Sequence, residues 1–230
     1  MKYSDIFFDL DRTLWDFESN AIETFKDLYK KHKLEEKGIT DFLDFVKVYK
    51  EHNEFLWAQY REGNIKKEVL RSKRFSLTLK DYKIYDEILA NEMGDDYIDI
   101  SPTKTKLFPN CIEILDYLSD KYNLHIITNG FEEVQYNKLI NCGLFKYFDK
   151  IITSEKIGVK KPNPQIFIHA TEEANTSIEE SIMIGDDFDI DIEGAQSVNM
   201  DQVYFNPFSD LETRKATYEI SDLIELKKYL

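Results

Sequence analysis

The chain has 230 residues, enough for one large domain or a domain carrying an insertion, and its 42% hydrophobic and 14% aromatic content excludes wholesale disorder. A net charge of −14 opposes a nucleic-acid polymer as partner but not a small phosphorylated molecule, because a metal or lysine can overrule the distant field locally. Two cysteines, Cys111 and Cys142, exclude a disulfide scaffold, and no apolar run approaches the ~20 residues that a membrane span needs.

The first predicted element is the apolar run Ile6-Phe7-Phe8, a short buried strand. No cleavable apolar leader stands before it, so a soluble, cytoplasmic protein with no membrane partner is expected. The first 101 residues lack proline, which favours helices; all five prolines lie after residue 101. Ile22, Phe25, Leu28 and Tyr29 recur at helical spacing. Phe42, Phe45, Val46, Tyr49, Phe55 and Leu56 predict a second helix or helix pair. Val69, Leu70, Phe75 and Leu77 predict a third. Ile84, Ile88 and Leu89 predict a fourth, stopped near Gly94. Beyond Leu107 the pattern changes. Short apolar runs at 124–127, 151–152, 182–184 and 203–205 are separated by helical patterns at 112–118, 134–140 and 166–174. Such runs read as buried parallel strands in βα units. The expected fold class is therefore α/β, a parallel-sheet core of residues 1–15 and 104–230 interrupted by a helical insertion of 16–103.

In an open α/β sheet, ligands bind beyond the carboxyl ends of the strands. The residues that follow the predicted strands are, in order, Asp9-Leu10-Asp11-Arg12-Thr13, Thr128-Asn129-Gly130, a loop reaching Lys160-Lys161-Pro162, and Gly185-Asp186-Asp187 with Asp191 further on. Asp9, Asp186 and Asp191 in one cleft would repel one another without a cation. Oxygen donors of this kind suit Mg²⁺, which bridges carboxylates to phosphate. A lysine and a threonine hydroxyl suit phosphoryl oxygens, and a carboxylate can attack phosphorus.

Taken together, these four segments resemble the signatures of the haloacid dehalogenase (HAD) superfamily. The resemblance implies a Rossmann-like core with an inserted α-helical cap of the C1 type. It implies that Asp9 is the nucleophile and Asp11 the general acid and base. Mg²⁺ would be held by Asp9, the main-chain carbonyl of Asp11, and Asp186. Thr128, Asn129 and Lys161 would bind the phosphoryl group. Asp191, with Asp187, would support the metal's water shell or Lys161. Family dehalogenases lack a carboxylate at the place of Asp11, so its presence argues for phosphoryl transfer. Arg12 departs from the family pattern, which often has Gly or Glu there, and its side chain is expected to point away from the phosphate. The stretches 127–131, 158–163, 56–65 and Arg74-Phe75 further resemble the YjjG-type pyrimidine 5′-nucleotidases. That implies hydrolysis of nucleoside 5′-monophosphates. A sugar-phosphate phosphatase or phosphomutase of the same superfamily, and a non-catalytic receiver-like module, are the rival readings. Receiver domains lack an insertion of this length.

Each signal also has a plain reading. Trp57 and Tyr60 could stack on a base or pack within an aromatic helical unit. Residues 61–74 carry six basic against two acidic side chains, Arg71 and Arg74 among them; this stretch could face solvent or select substrate. Lys160 reads as a surface charge. Asp187 and Asp189 read as acidic residues at a helix start. Gly130 would let the backbone approach a ligand closely. His125 lies in a buried-strand pattern, and the two cysteines read as small buried residues. Monomer and homodimer both remain open.

Overall fold

The computed structural model describes residues 2–230. The chain divides into two compact units, Met1–Phe17 with Thr105–Leu230, and Glu18–Lys104. Strand β1 (Asp5–Phe8) opens the first unit, and all four of its residues are buried.

The second unit is helical: α1 (Phe17–Lys31), which starts one residue before it, then α2 (Phe42–Arg61), α3 (Lys67–Asp81) and α4 (Glu87–Ile100). Its centre is aromatic. Phe25 packs edge-on against Phe45 and Tyr49, and Phe75 and Tyr97 close the cluster. The Asp41 carboxylate caps α2 by accepting from the N–H groups of Leu43 and Asp44, and Asp86 caps α4 by accepting from Leu89. The apolar positions from Phe42 to Leu56 belong to one helix rather than a pair. The fourth helix does not stop at Gly94, and Ile84 lies before its cap. Gly94 sits inside α4 because a Cβ there would come within 2.8 Å of the Arg71 carbonyl oxygen. That glycine serves helix–helix contact, and glycine as a stop signal was the wrong physical reason.

The rest of the first unit runs α5 (Cys111–Ser119), β2 (Asn123–Thr128), α6 (Glu132–Asn141), β3 (Lys150–Thr153), α7 (Ser154–Ile157), α8 (Pro164–Ala174), β4 (Ser181–Gly185), a π-helical turn at Phe188–Ile192, α9 (Glu193–Gln196), β5 (Asp201–Phe205) and β6 (Tyr218–Ile220). The sheet order is β3-β2-β1-β4-β5-β6, and every pairing is parallel. Alternation along the strands sends Ile6 and Phe8 to one face, with Leu115, Leu118 and Leu139 of the helices. Phe7 and Met183 go to the other face, with Ile166, Phe167 and Ala170. Both faces are covered, as a parallel sheet requires. Strand β6 has the sequence Tyr-Glu-Ile; it carries no apolar run and is too short to announce itself in the sequence.

Candidate active site

Strand β1 lies between β2 and β4, with Phe8 opposite both Ile126 and Ile184. The residues that leave these three strands therefore share one sheet edge. The Asp9 N–H donates to the Ile184 carbonyl at 2.9 Å, which continues the ladder and fixes where the Asp9 side chain starts. Lys161 arrives from the α7–α8 connection and is only 2% exposed. Its Nζ donates to Asp9 Oδ1 and to Asp191 Oδ1, both at 2.6 Å. Burial alone would pull the Lys161 ammonium down, but the two carboxylates overcome it and its pKa is raised. Asp9 is pushed up to about 7, chiefly by burial; Lys161 opposes the shift and the charges of Asp191 and Asp11 add to it. Asp186 is also pushed well above the usual carboxylate range, by burial and then by Asp9 and Asp191.

One carboxylate oxygen from each of Asp9, Asp186 and Asp191 lies within 4.8 Å of the others. This donor set fits a hard divalent cation, since Lys161 pairs with only two of the three acidic groups, Asp9 and Asp191. The three are not equivalent. Both oxygens of Asp191 already accept from the protein, Oδ1 from Lys161 and Oδ2 from the Asp187 N–H at 3.2 Å. The Asp191 side chain lies against the bare Cα of Gly185, where a Cβ would stand 2.5 Å from its Cβ and Cγ. Asp186 Oδ1 accepts from the Thr13 hydroxyl at 3.2 Å. The Asp187 carboxylate caps the π-helical turn by accepting from the Ile190 N–H at 3.1 Å. Asp189 is held in an exposed ion pair with Arg214.

Thr128 ends β2 and is buried; its Oγ1 accepts from the Gly130 N–H at 3.0 Å. The Asn129 side chain makes a reciprocal pair with the backbone of Lys161. Its Nδ2 donates to the Lys161 carbonyl and its Oδ1 accepts from the Lys161 N–H, each at 2.9 Å. The Asn129 amide thus anchors the lysine loop.

Asp11 is engaged by two residues that the sequence reading did not single out. Lys138 of α6 forms an ion pair with Asp11 Oδ1, and Gln135 Nε2 donates to Asp11 Oδ2 at 3.0 Å. The Lys138 ammonium also stands 3.9 Å from the centroid of the Trp15 ring. The space left by the missing side chain of Gly130 is occupied by Gln135 rather than by an approaching ligand. The signal for both residues was present as i, i+3 spacing one turn into the helix after Thr128-Asn129-Gly130, but it is indistinguishable from an ordinary amphipathic pattern. Arg12 adopts φ 67, the left-handed region where glycine is at ease. Its guanidinium lies over the Phe17 ring at 4.4 Å.

In the helical unit, Trp57 and Tyr60 pack edge-to-face at 5.5 Å, with Tyr60 buried. Arg71 is held by Asp95 at 2.6 Å. Arg74 does not belong to a solvated basic face. It is 3% exposed, its guanidinium lies over the Tyr97 ring at 4.4 Å, and its Nη2 has no hydrogen-bond partner among the described residues. His125 is buried against Asp5 at 2.9 Å, away from the carboxylate cluster. Cys111 is buried, Cys142 is half-buried and Lys160 is half-buried. Among the described residues no helix is long and apolar enough to cross a membrane.

A parallel Rossmann-like sheet whose central strand is followed by an Asp-x-Asp pair, bridged by a buried lysine to an acid in the turn after the neighbouring strand, defines the general class. The chain belongs to the haloacid dehalogenase-like hydrolase family, whose sequence pattern matches residues 6–205. It is 30% identical over 100% of its length to the pyrimidine 5′-nucleotidase YjjG of Escherichia coli (strain K12), covering 99% of that protein. It is 28% identical to the glyceraldehyde 3-phosphate phosphatase of Methanopyrus kandleri, over 91% of this chain and 87% of that protein. It is also similar to the HAD-hydrolase YfnB of Bacillus subtilis, whose magnesium-bound crystal structure superposes with a TM-score of 0.89 at 29% identity, covering 100% of this chain and 99% of that one.

Proposed function

We propose that the protein is a Mg²⁺-dependent phosphomonoesterase acting through an aspartyl-phosphate on Asp9, with nucleoside 5′-monophosphates as its substrate class. The observation that carries this reading is the Asp9–Lys161–Asp191 bridge with Asp186 within 4.8 Å, two residues upstream of a second carboxylate at Asp11. Bound Mg²⁺, held by Asp9, Asp186 and the Asp11 carbonyl, would supply neutralisation of the phosphoryl oxygens.

The residues of the chain divide the remaining work. Lys161 holds Asp9 oriented through one N–H and presents its positive charge to the phosphoryl group. Thr128 accepts from Gly130, so its own O–H proton is the one offered to a phosphate oxygen. A carboxylate oxygen of Asp9 attacks phosphorus while the bond to the leaving oxygen breaks, and Asp11 gives that oxygen its proton. Asp11 then takes a proton from water, which attacks phosphorus, breaks the acyl phosphate and frees inorganic phosphate and the Asp9 carboxylate. Asp191 stays bound to Lys161 throughout and keeps the ammonium in place.

The test is phosphate release, with and without Mg²⁺, across nucleoside monophosphates and sugar phosphates. Asp9→Asn should lower turnover by about a thousandfold or more, and Asp11→Asn by about 10²–10⁴-fold. A folded Asp9→Asn protein at wild-type rate would sink the mechanism. The likeness to YjjG supports nucleotides. The likeness to a glyceraldehyde 3-phosphate phosphatase supports the second reading, a sugar-phosphate phosphatase with the same chemistry. The preferred substrate in the panel decides between them.

A further inference from the structure

We propose that Lys138, together with Gln135, is a positioning pair that holds the Asp11 carboxylate where its proton transfers must occur; this rests on the phosphatase reading above. Each side chain engages a different oxygen of the carboxylate, Lys138 at Oδ1 and Gln135 Nε2 at Oδ2, the latter at 3.0 Å. Two donors on two oxygens fix the plane of the group as well as its position, which a single bond leaves free to rotate.

Both donors are themselves buried. Lys138 is 3% exposed and Gln135 1%, whereas the Asp11 side chain is 24% exposed and would otherwise sample several rotamers. The Lys138 ammonium is further located by the Trp15 ring at 3.9 Å. Trp15 in turn belongs to the same tight loop as Asp11, since its N–H donates to the Leu10 carbonyl at 2.9 Å and its carbonyl accepts from the Arg12 N–H at 2.9 Å. The path of Gln135 is open only because residue 130 is glycine; a Cβ there would collide with the Gln135 side chain.

The geometry also gives the pair a purpose beyond joining helix to loop. Helix α6 begins four residues after Thr128, whose hydroxyl accepts from the Gly130 N–H in the short connecting loop, and the helix carries the two donors to Asp11. It therefore sets the distance between the phosphate site and the proton donor. Misplacing catalytic groups by about 1 Å can cost 10²-fold in rate.

The experiment uses the full chain with Mg²⁺ and compares Lys138→Met, Lys138→Arg and Gln135→Met in the wild-type and Asp11→Asn backgrounds. Single-turnover release is followed for 4-nitrophenyl phosphate, whose leaving group needs little protonation. It is followed in parallel for uridine 5′-monophosphate, or for glyceraldehyde 3-phosphate if the panel prefers it, whose leaving groups need a proton. Lys138→Met should slow the alkyl ester by about 30-fold or more and 4-nitrophenolate release by less than about threefold. Lys138→Arg should recover most of the rate. In the Asp11→Asn background Lys138→Met should change little, because its target is already gone.

Equal losses for the two esters would overturn the proposal, as would a full loss in the Asp11→Asn background or a folded Lys138→Met protein at wild-type rate. If Lys138→Met does not fold, Gln135→Met carries the same comparison. If the wild type hydrolyses no phosphomonoester, or Asp11→Asn is as fast as wild type, the phosphatase reading fails first and this proposal falls with it. If Asp11→Asn is slow and the Lys138 and Gln135 variants are not, only the positioning role is lost.

Discussion

Two glycines at the sheet edge are small for the sake of a neighbour's side chain. At Gly185 an added Cβ would stand 2.5 Å from the Cβ and Cγ of Asp191, atoms close to the backbone that cannot swing aside. Gly185→Ala should therefore destabilise the protein by about 1–3 kcal/mol, through the overpacking that a filled site imposes. Because Asp191 holds Lys161, the same change should also slow phosphate release. Thermal unfolding and turnover on one preparation check both, and a stable, fully active Gly185→Ala would show that the Asp191 segment gives way. The identity of each acidic residue at these strand ends was legible in the sequence, because short apolar runs mark where strands stop. What fills the space over a glycine was not legible, because that depends on a side chain distant in sequence. Gly130 is the plain case, where the expected ligand approach is replaced by Gln135. Arg12 is another. Its φ of 67 accounts for why glycine suits this position, while the guanidinium gains contact with Phe17 in return.

At the scale of helices, Gly94 sets intrinsic propensity against packing. Alanine in a helix interior is worth roughly 0.5–1 kcal/mol over glycine. Against it stands a Cβ 2.8 Å from a backbone carbonyl of α3, an overpacking cost of about 1–3 kcal/mol. The cost wins, so Gly94→Ala should lower stability by about 1 kcal/mol; a denaturant titration showing a gain would mean that α3 and α4 can separate without loss. Asp41→Ala removes the cap of α2 and should cost about 1 kcal/mol by the same measurement. The helices themselves were readable from their apolar spacing, but their limits were not, because Asp41 and Asp86 show themselves as caps only once their carboxylates accept from the first turns. The burial of Arg74 was not legible in the sequence, for a physical reason. Charge composition says nothing about which basic residue in a run turns inward, and the Tyr97 and Phe75 rings that receive it come from aromatic positions whose partners the spacing does not reveal.

For the whole molecule, the carboxylate cluster ties stability to pH. Asp9 has an ordinary value of 3.8 and is pushed up to about 7 in the folded, metal-free protein, with Asp186 moved the same way. A carboxyl raised on folding contributes stability that is fully present below about pH 4 and is lost as pH rises through about 7. Carboxylates that folding holds low, such as Asp5, Asp96 and Asp201, act at the acid end and do not enter that window. Between pH 5.5 and pH 8 the Asp9 contribution falls by about 2 kcal/mol, or about 5 °C in Tm for a chain of this size. Melting in EDTA should show this drop, and millimolar Mg²⁺ should remove most of it by binding the ionised cluster. A metal-free Tm that is flat or rises from pH 5.5 to pH 8 would count against a cation site here. The parallel α/β architecture was legible in the sequence because its buried strands are continuous apolar runs. The edge strand β6 was not, because a three-residue edge needs no such run.

The central place of β1 has a consequence for how the chain comes off the ribosome. The strand made first must wait for both of its neighbours, β2 at residues 123–128 and β4 at residues 181–185. At ~5–20 residues per second, β4 follows β1 by roughly 10–35 s. Until β2 emerges Ile6-Phe7-Phe8 has no sheet to join, and until β4 emerges one side of the strand stays unpaired, while residues 18–104 are already complete as a contiguous compact unit. Arrested nascent chains should therefore acquire protease protection over the helical segment first, with the Asp9 end of the chain staying cleavable until β4 has emerged.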